Sequence, residues 1–280
     1  MVGDHGPGLT GMRFWKMSGA GNDFVFLDAR GDDLLAKRAS DGAFVRRVCT
    51  PHTGVGADGV AIIQGSASQD FSLMYLNRDG SLGELCGNAS LCATRLAVEL
   101  GIADAAGLTF STGAGVMRGR IRGGHPEIDL QPPTGLRPDA GISKMLGELR
   151  MGFVNTGVPH LVVRSDNVRL VELGSRGPEL RYHESLASGA NVNWISPLGD
   201  GEWQMRTYER GVEAETLACG TGAVACAVML GVWSEAGEET RLRTRSGGIL
   251  TVRLRRTDED SRPSLAGEGR IVFDGSLREL

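Results

Sequence analysis

One pattern occurs twice in this chain, and it constrains the fold more than anything else in the sequence. The first copy is LNRDGSLGELCGNASLCATRLAVELG, from Leu76 to Gly101; the second is YERGVEAETLACGTGAVACAVMLG, from Tyr208 to Gly231. Each copy follows an apolar, strand-like run and passes through a polar, Gly-containing turn with acidic residues. Each then reaches Cys-Gly, a small polar residue and a helical stretch. Two halves of similar design are expected, with Cys86 and Cys219 at equivalent places.

The helices follow from periodicity. After Cys86, apolar residues fall at Ala89, Cys92, Ala93, Leu96, Ala97 and Leu100, the spacing of a helix with one buried face. Gly101 is a suitable stop. After Cys219, Ala223 to Leu230 is apolar almost all round, which predicts a helix buried on every side. Each Cys therefore sits at or near an N-cap. The first amides of a helix lack intrahelical partners and carry partial positive charge. That environment lowers a thiol pKa from ~8.5 and also receives carboxylates. The Gly after each Cys lets another group approach the backbone. A site of this kind holds a thiol base and a cradle for a carboxylate. The plain alternative is a pair of buried structural thiols, against which stands the repetition of one thiol at one turn. Cys92 and Cys226 read as core residues. The Cys pairs lie too far apart in sequence for a zinc knuckle, so no metal site is expected.

Hydrophobic residues make up 41% of 280, enough for one large core or two. The net charge of −4 comes without a basic patch, which argues against nucleic acid. No apolar run approaches the ~20 residues of a membrane span, and MVGDHGPGLTG does not read as a signal peptide. Residues 1–11 are expected to be a flexible extension. Five cysteines, an odd number, suit a reducing cytoplasm better than a disulfide framework.

In order, Met12 to Phe14 opens a strand, and KMSGAGNDFVFLD presents Asn22 at a Gly-Ala-Gly turn before a strand at Phe24 to Leu27. Asn22 is either a turn residue or a ligand-binding amide. Residues 32–50 read as helical and amphipathic. HTGVGADGV lacks the Lys and Ser/Thr of a P-loop and leads into a strand from Val60 to Gln64. Phe71 to Leu76, Leu108 to Ser111, Val116 to Ile121 and Glu127 to Leu130 are further strands. QPPTGLRPDAG, from Gln131, reads as a linker. The second half has strands at Phe153 to Asn155, after His160, at Gly189 to Ile195 and at Glu202 to Glu209. A hairpin follows from Arg241 to Leu254, turning at Ser246-Gly-Gly. The last strand, Arg270 to Phe273, is expected to return to the first domain. This gives an α+β class in which mostly antiparallel strands wrap one buried helix in each half. The expected domains are 12–131 plus 264–280, and 132–263. His160 reads equally as a locally bonded histidine or a site residue. Glu209 and Arg210 match Asn77 and Arg78 ahead of the first Cys, which favours a site role over a solvated pair.

The motifs KMSGAGNDF, GVGADG, LNRDGS, ELCGNA, PHLVV, NVNWI, YERG and ACGTGA stand in the order and spacing of a known signature. In these the chain resembles the diaminopimelate epimerases, from about Met12 to the C-terminus. The resemblance implies two pseudo-symmetric domains, each a sheet or barrel around a central helix, with the active site in the cleft between them. It implies cofactor-independent interconversion of LL- and meso-2,6-diaminopimelate on the lysine and peptidoglycan route. Cys86 and Cys219 would be the acid/base pair. Asn22, Asn77, Gly87, Asn88, Asn191, Glu209, Arg210, Gly220 and Thr221 would contact substrate, and His160 and Glu209 would tune the thiols. Val158 departs from the pattern, since many members carry Asn before Pro-His. Ala89-Ser90 is a smaller departure. A homodimer is one assembly open to such a chain.

Inverting an α-carbon needs a base on one face and an acid on the other, and no motif for an electron-sink cofactor accompanies the two thiols. Two residues of one type, one ionised and one protonated, serve both directions, while helix N-termini stabilise charge growing on the carboxylate. Two other classes fit the duplication less well. A binding module would hold an amino acid without chemistry. A thiol redox protein would pair Cys86 with Cys219, but no CxxC is present.

Overall fold

The computed structural model describes residues 11–83, 85–256 and 261–278. Of the extension expected over residues 1–11, all but Gly11 lies outside the described residues; the Gly11 N–H donates to Leu277 O at 3.1 Å. The first unit contains β1 (Met12–Gly19), β2 (Asn22–Asp28), α1 (Asp33–Ala39), α2 (Gly42–Cys49), β3 (Gly59–Gln64), β4 (Phe71–Asn77), β5 (Leu82–Gly83), α3 (Gly87–Glu99), β6 (Leu108–Thr112) and β7 (Gly115–Arg122). The second contains β8 (His125–Asp129), whose paired residues 127–129 belong to it, β9 (Thr134–Arg137), β10 (Glu148–Asn155) and β11 (Pro159–Ser165). It continues with α4 (Leu173–Arg181), β12 (Asn191–Gly199), β13 (Glu202–Glu209), β14 (Ala214–Thr216), α5 (Gly220–Val232), β15 (Glu239–Arg243), β16 (Ile249–Arg256) and β17 (Ser261–Ala266). The chain then returns to the first unit as β18 (Arg270–Leu277), antiparallel to β1. The units divide between Pro126 and Glu127 and between Glu268 and Gly269, so Gln131 lies inside the second.

The topology is duplicated over its shared strands, and the second unit adds β17 and β8 beyond β16. In the first unit the order is β18-β1-β2-β3-β4-β6-β7, with β5 on the same edge of β4 as β6. In the second it is β9-β10-β11-β12-β13-β15-β16-β17-β8, with β14 beside β13. Parallel pairs fall at the same steps: β2/β3 and β4/β6 in one, β11/β12 and β13/β15 in the other. Among the described residues each sheet is open, which settles sheet against barrel in favour of the sheet.

Each sheet buries one helix. α3 packs on β1, β3, β4, β7 and β18, and α5 on β10, β11, β12, β15, β16 and β17. The all-apolar reading of α5 holds: Ala223 to Leu230 are all buried. The opposite face of each sheet is covered too. In the first unit Val25, Leu27, Val60 and Ile62 meet Phe44, Val45 and Val48 of α2. In the second Leu161, Val163, Val192 and Trp194 meet Leu173 and Leu180 of α4. Burial on both faces explains the nearly continuous apolar runs of the central strands. Among the described residues no helix is long and apolar enough to cross a membrane.

Two local features go beyond what the sequence displayed. The stretch at residues 32–50 is two helices, because Asp41 is extended and its side chain accepts from Ala43 N at 3.0 Å. A strong N-cap thus begins α2 where periodicity alone ran on. α4 carries Gly174, Gly177 and Pro178, which conceal a helix from any propensity reading. Arg176 anchors it: Nε and Nη2 donate to the Glu148 carboxylate at 3.0 and 2.7 Å, and Nη2 also donates to Ser143 O at 2.8 Å. The Glu148 side chain is 6% exposed. Arg176→Ala is therefore expected to destabilise the protein by about 3–5 kcal/mol, because a buried carboxylate loses its partner. The denaturant midpoint checks this, with an unchanged slope marking a pure stability effect.

Candidate active site

In the first unit Cys86 is the N-cap of α3, with extended backbone (φ −127°), and its sulfur accepts from Ala89 N at 3.5 Å. The first-turn amides of Gly87 and Asn88 have no carbonyl behind them in the helix. Asn88 is 3% exposed. Its Nδ2 donates to Asn22 Oδ1 at 2.7 Å, and its own Oδ1 is buried without a partner. Asn22 in turn donates to Asp58 Oδ2 at 3.0 Å. Asp23 and Asp58 exchange backbone-to-carboxylate bonds of 3.2 and 3.0 Å. The Lys16 ammonium lies 2.5 Å from Asp23 and also bonds Gly56 O. Asn22 is thus both a turn residue and part of a wired cluster at the helix start. The turn is seated tightly, since a Cβ on Gly19 would fall 2.9 Å from Asn88 O. Asn77 donates its side chain to Ser81 Oγ at 3.0 Å, shaping the turn ahead of Cys86.

The second unit repeats the plan with other chemistry. Cys219, 8% exposed, is the extended N-cap of α5 (φ −139°), followed by buried Gly220 and then Thr221. Its sulfur lies 3.6 Å from Thr221 Oγ1. His160, fully buried, contacts Thr221 Oγ1 through Nε2 at 3.0 Å. The Thr221 hydroxyl thus stands between the ring and the thiol. Burial first, and the Arg210 cation second, lower the His160 pKa from 6.5 to about 3, so the ring is neutral at physiological pH. Asn191 accepts from Arg210 N at 2.8 Å and donates to Pro159 O at 3.2 Å. It ties the Glu209–Arg210 corner to the strand that carries His160. Arg210 Nη1 bonds Ser188 O at 3.4 Å, and Glu209 O receives Glu213 N at 2.8 Å. Val158 lies in the loop before β11, its carbonyl accepting from Thr156 N.

Strand register makes the comparison of the two copies explicit. Val60 pairs with Leu76 as Val192 pairs with Tyr208, so Asn77 and Arg78 correspond to Glu209 and Arg210. Phe24 pairs with Gly59 as His160 pairs with Asn191. Ala61 and Tyr75 stand where Asn193 and Thr207 stand. Asn193, Thr207, Asp58 and Lys16 are the site residues missed by sequence reasoning. The signal for Asn193 was present in NVNWI: a polar residue, 0% exposed, set between Val192 and Trp194.

The fold is one already seen in solved structures. A crystal structure of the Bacillus anthracis phenazine biosynthesis protein of the PhzF family superposes with a TM-score of 0.71 at 15% identity, covering 95% of this chain and 98% of that one. The family profile described as Diaminopimelate epimerase matches residues 14–130 and 152–271. The diaminopimelate epimerase of Gemmatimonas aurantiaca is 44% identical over 96% of this chain and 100% of its own length. That of Aquifex aeolicus is 41% identical over 96% and 98%. The chain belongs to the diaminopimelate epimerase family, and it is an isomerase.

Two expectations follow from the second unit's geometry. A Cβ on Gly222 would fall 2.4 Å from Asn193 Oδ1 and 3.0 Å from Met205 Cε. Gly222→Ala should therefore cost about 1–3 kcal/mol through overpacking, whereas Gly231→Ala, whose Cβ meets only Leu254 at 3.4 Å, should be tolerated; thermal melting separates the two. His160 binds its proton far less readily folded than unfolded. Its contribution to stability is whole above pH 6.5 and is lost as pH falls toward 3. Wild type should lose more stability across that window than His160→Gln, read from denaturation curves at stepped pH.

Proposed function

We propose that the protein interconverts LL- and meso-2,6-diaminopimelate without a cofactor, using Cys86 and Cys219 as its acid/base pair. The observation that supports this most is the repetition of an extended N-cap cysteine before Gly on the central helix of both units. One thiolate removes the α-proton, and the electron pair of the C–H bond moves into the adjacent carboxylate. The other thiol delivers a proton to the opposite face, which exchanges the two ionisation states and readies the pair for the reverse reaction. Amides of Gly87, Asn88, Gly220 and Thr221 stabilise the growing carboxylate charge. His160 and Glu209 adjust the thiols. The end of the substrate that does not react has a carboxylate and an ammonium. Arg210 suits the carboxylate, and Asn22, Asn77 and Asn191 supply further polar contacts or hold those that do. The reaction belongs to a soluble, cytoplasmic route toward lysine and peptidoglycan precursors.

Cys86→Ala and Cys219→Ala should each abolish net epimerisation, whereas Cys49→Ala, Cys92→Ala and Cys226→Ala should leave turnover largely intact. Chiral analysis of the product from purified protein and LL-diaminopimelate decides it, and full activity in either of the first two variants would refute the assignment. In D2O the inverted carbon should acquire deuterium.

Specificity is a separate expectation. A site that pairs buried polar groups rejects analogues lacking them by up to ~10⁴-fold, so lysine and proline should turn over hardly at all. Arg210→Ala should raise KM sharply. Val158→Asn should leave the preference unchanged, because one net hydrogen bond is worth only ~1 kcal/mol. Comparable rates on proline and diaminopimelate would overturn the substrate assignment.

A further inference from the structure

Asn193 lies at the centre of β12 with 0% exposure, and its surroundings fix which way its amide points. One end of the amide is 3.3 Å from Leu161 O, a carbonyl that only accepts, so that end is the NH2. The other end, Oδ1, accepts from Thr207 Oγ1 at 3.0 Å. The same NH2 lies 3.0 Å from His160 Nδ1. An amide nitrogen offers no lone pair, so Nδ1 must be the acceptor. A neutral imidazole with an accepting Nδ1 carries its proton on Nε2, and Nε2 faces Thr221 Oγ1 at 3.0 Å. Thr221 therefore receives from His160, and its own hydroxyl proton is left to turn toward Cys219 Sγ, 3.6 Å away.

We propose that Asn193, backed by Thr207, is a positioning residue: it locks His160 in the Nε2-protonated tautomer and so directs the Thr221 hydroxyl proton onto the sulfur of Cys219, favouring its thiolate form. The burial that keeps His160 neutral, with Arg210 as the cation acting on the ring, leaves one ring proton whose place Asn193 decides. Buried Cys226 nearby stays a thiol, since desolvation and the charge of Cys219 both raise its pKa. The first unit has none of these groups at the matching register. Phe24, Ala61 and Tyr75 stand there, with the Phe24 and Tyr75 rings edge to face at 5.9 Å, so the relay serves one thiol of the two. The inference rests on the proposed acid/base role of Cys219, which it deepens.

Nitrogen-15 NMR of labelled histidine reads the tautomer without turnover, with His160→Gln assigning the signal. Wild type should show Nε2–H. Asn193→Asp places a carboxylate, which only accepts, against Nδ1, and should move the proton there. Thr221 would then donate to His160 instead of Cys219. Loss of a hydrogen bond to a charged group is worth about tenfold or more. Alkylation of Cys219 by iodoacetamide at neutral pH, mapped by peptide mass, should accordingly slow about tenfold in Asn193→Asp and Thr221→Ala, and recover in Thr221→Ser. An Nδ1–H signal in wild type overturns the proposal, as does an unchanged tautomer or alkylation rate in Asn193→Asp. Should that variant fail to fold, the wild-type tautomer and the alkylation rates of Thr221→Ala and Thr221→Ser decide. Absence of diaminopimelate turnover in wild type would sink the functional reading while leaving these measurements standing.

Discussion

A helix with no polar face is stable in water only where other residues cover it on every side. α5 is such a helix, with Ala223 to Leu230 all buried, and most of the second unit's architecture answers to it. The strands must curve around it, and a second layer, α4, must cover the outer face of the sheet they form. The first unit meets the same demand with α3 inside and α1 and α2 outside. A helix so enclosed has its axis fixed by packing on all sides, and its N-terminus is then fixed as well. The thiol at that N-terminus inherits its position from the apolar core, and its own contacts add to that. That is how a site built on a cap residue would gain the rigidity that the proposed acid/base chemistry requires.

The two copies share backbone and diverge in what the backbone carries. Both cysteines have the extended dihedral angles of an N-cap, and both precede a buried glycine. Around Cys86 the polar wiring runs through Asn88, Asn22 and Asp58, all near the turn between β1 and β2. Around Cys219 it runs through the interior of the sheet, from Thr207 through Asn193 and His160 to Thr221. Buried polar groups are costly unless satisfied, and each member of the second network satisfies the next. Gly222 shows how closely it is fitted, because an added methyl group would collide with the Asn193 carbonyl. Ala89 stands at the corresponding place in α3, where Ala61 leaves more room.

Much of this was legible beforehand. The duplicated Cys-Gly-helix stretch identified the equivalent thiols, because helix caps and amphipathic spacing are local properties that a sequence displays directly. The strands around it were legible for the same reason, down to Glu202–Glu209, whose ends coincide with those expected. The helical reading of residues 32–50 did not divide α1 from α2, because Asp41 is as compatible with a helix surface as with a cap, and only backbone geometry separates the two. α4 was hidden because Gly177 and Pro178 argue against a helix locally, while an ion pair between Arg176 and Glu148, far apart in sequence, holds it in place.

The sequence by itself determined the duplication, the cap position of both thiols, the buried helices and the membership of the motifs in one family. It could not determine which polar side chains meet. His160, Asn193, Thr207 and Thr221 come from four separate elements, and their contacts depend on the register of β11 against β12 and of β12 against β13. Register is set by the fit of whole strands around the central helix, so a one-residue slip of β11, β12 or β13 would turn His160, Asn193 or Thr207, respectively, to the other face. Tertiary structure alone decides that the histidine reaches the sulfur through a threonine, and that an asparagine stands behind the histidine.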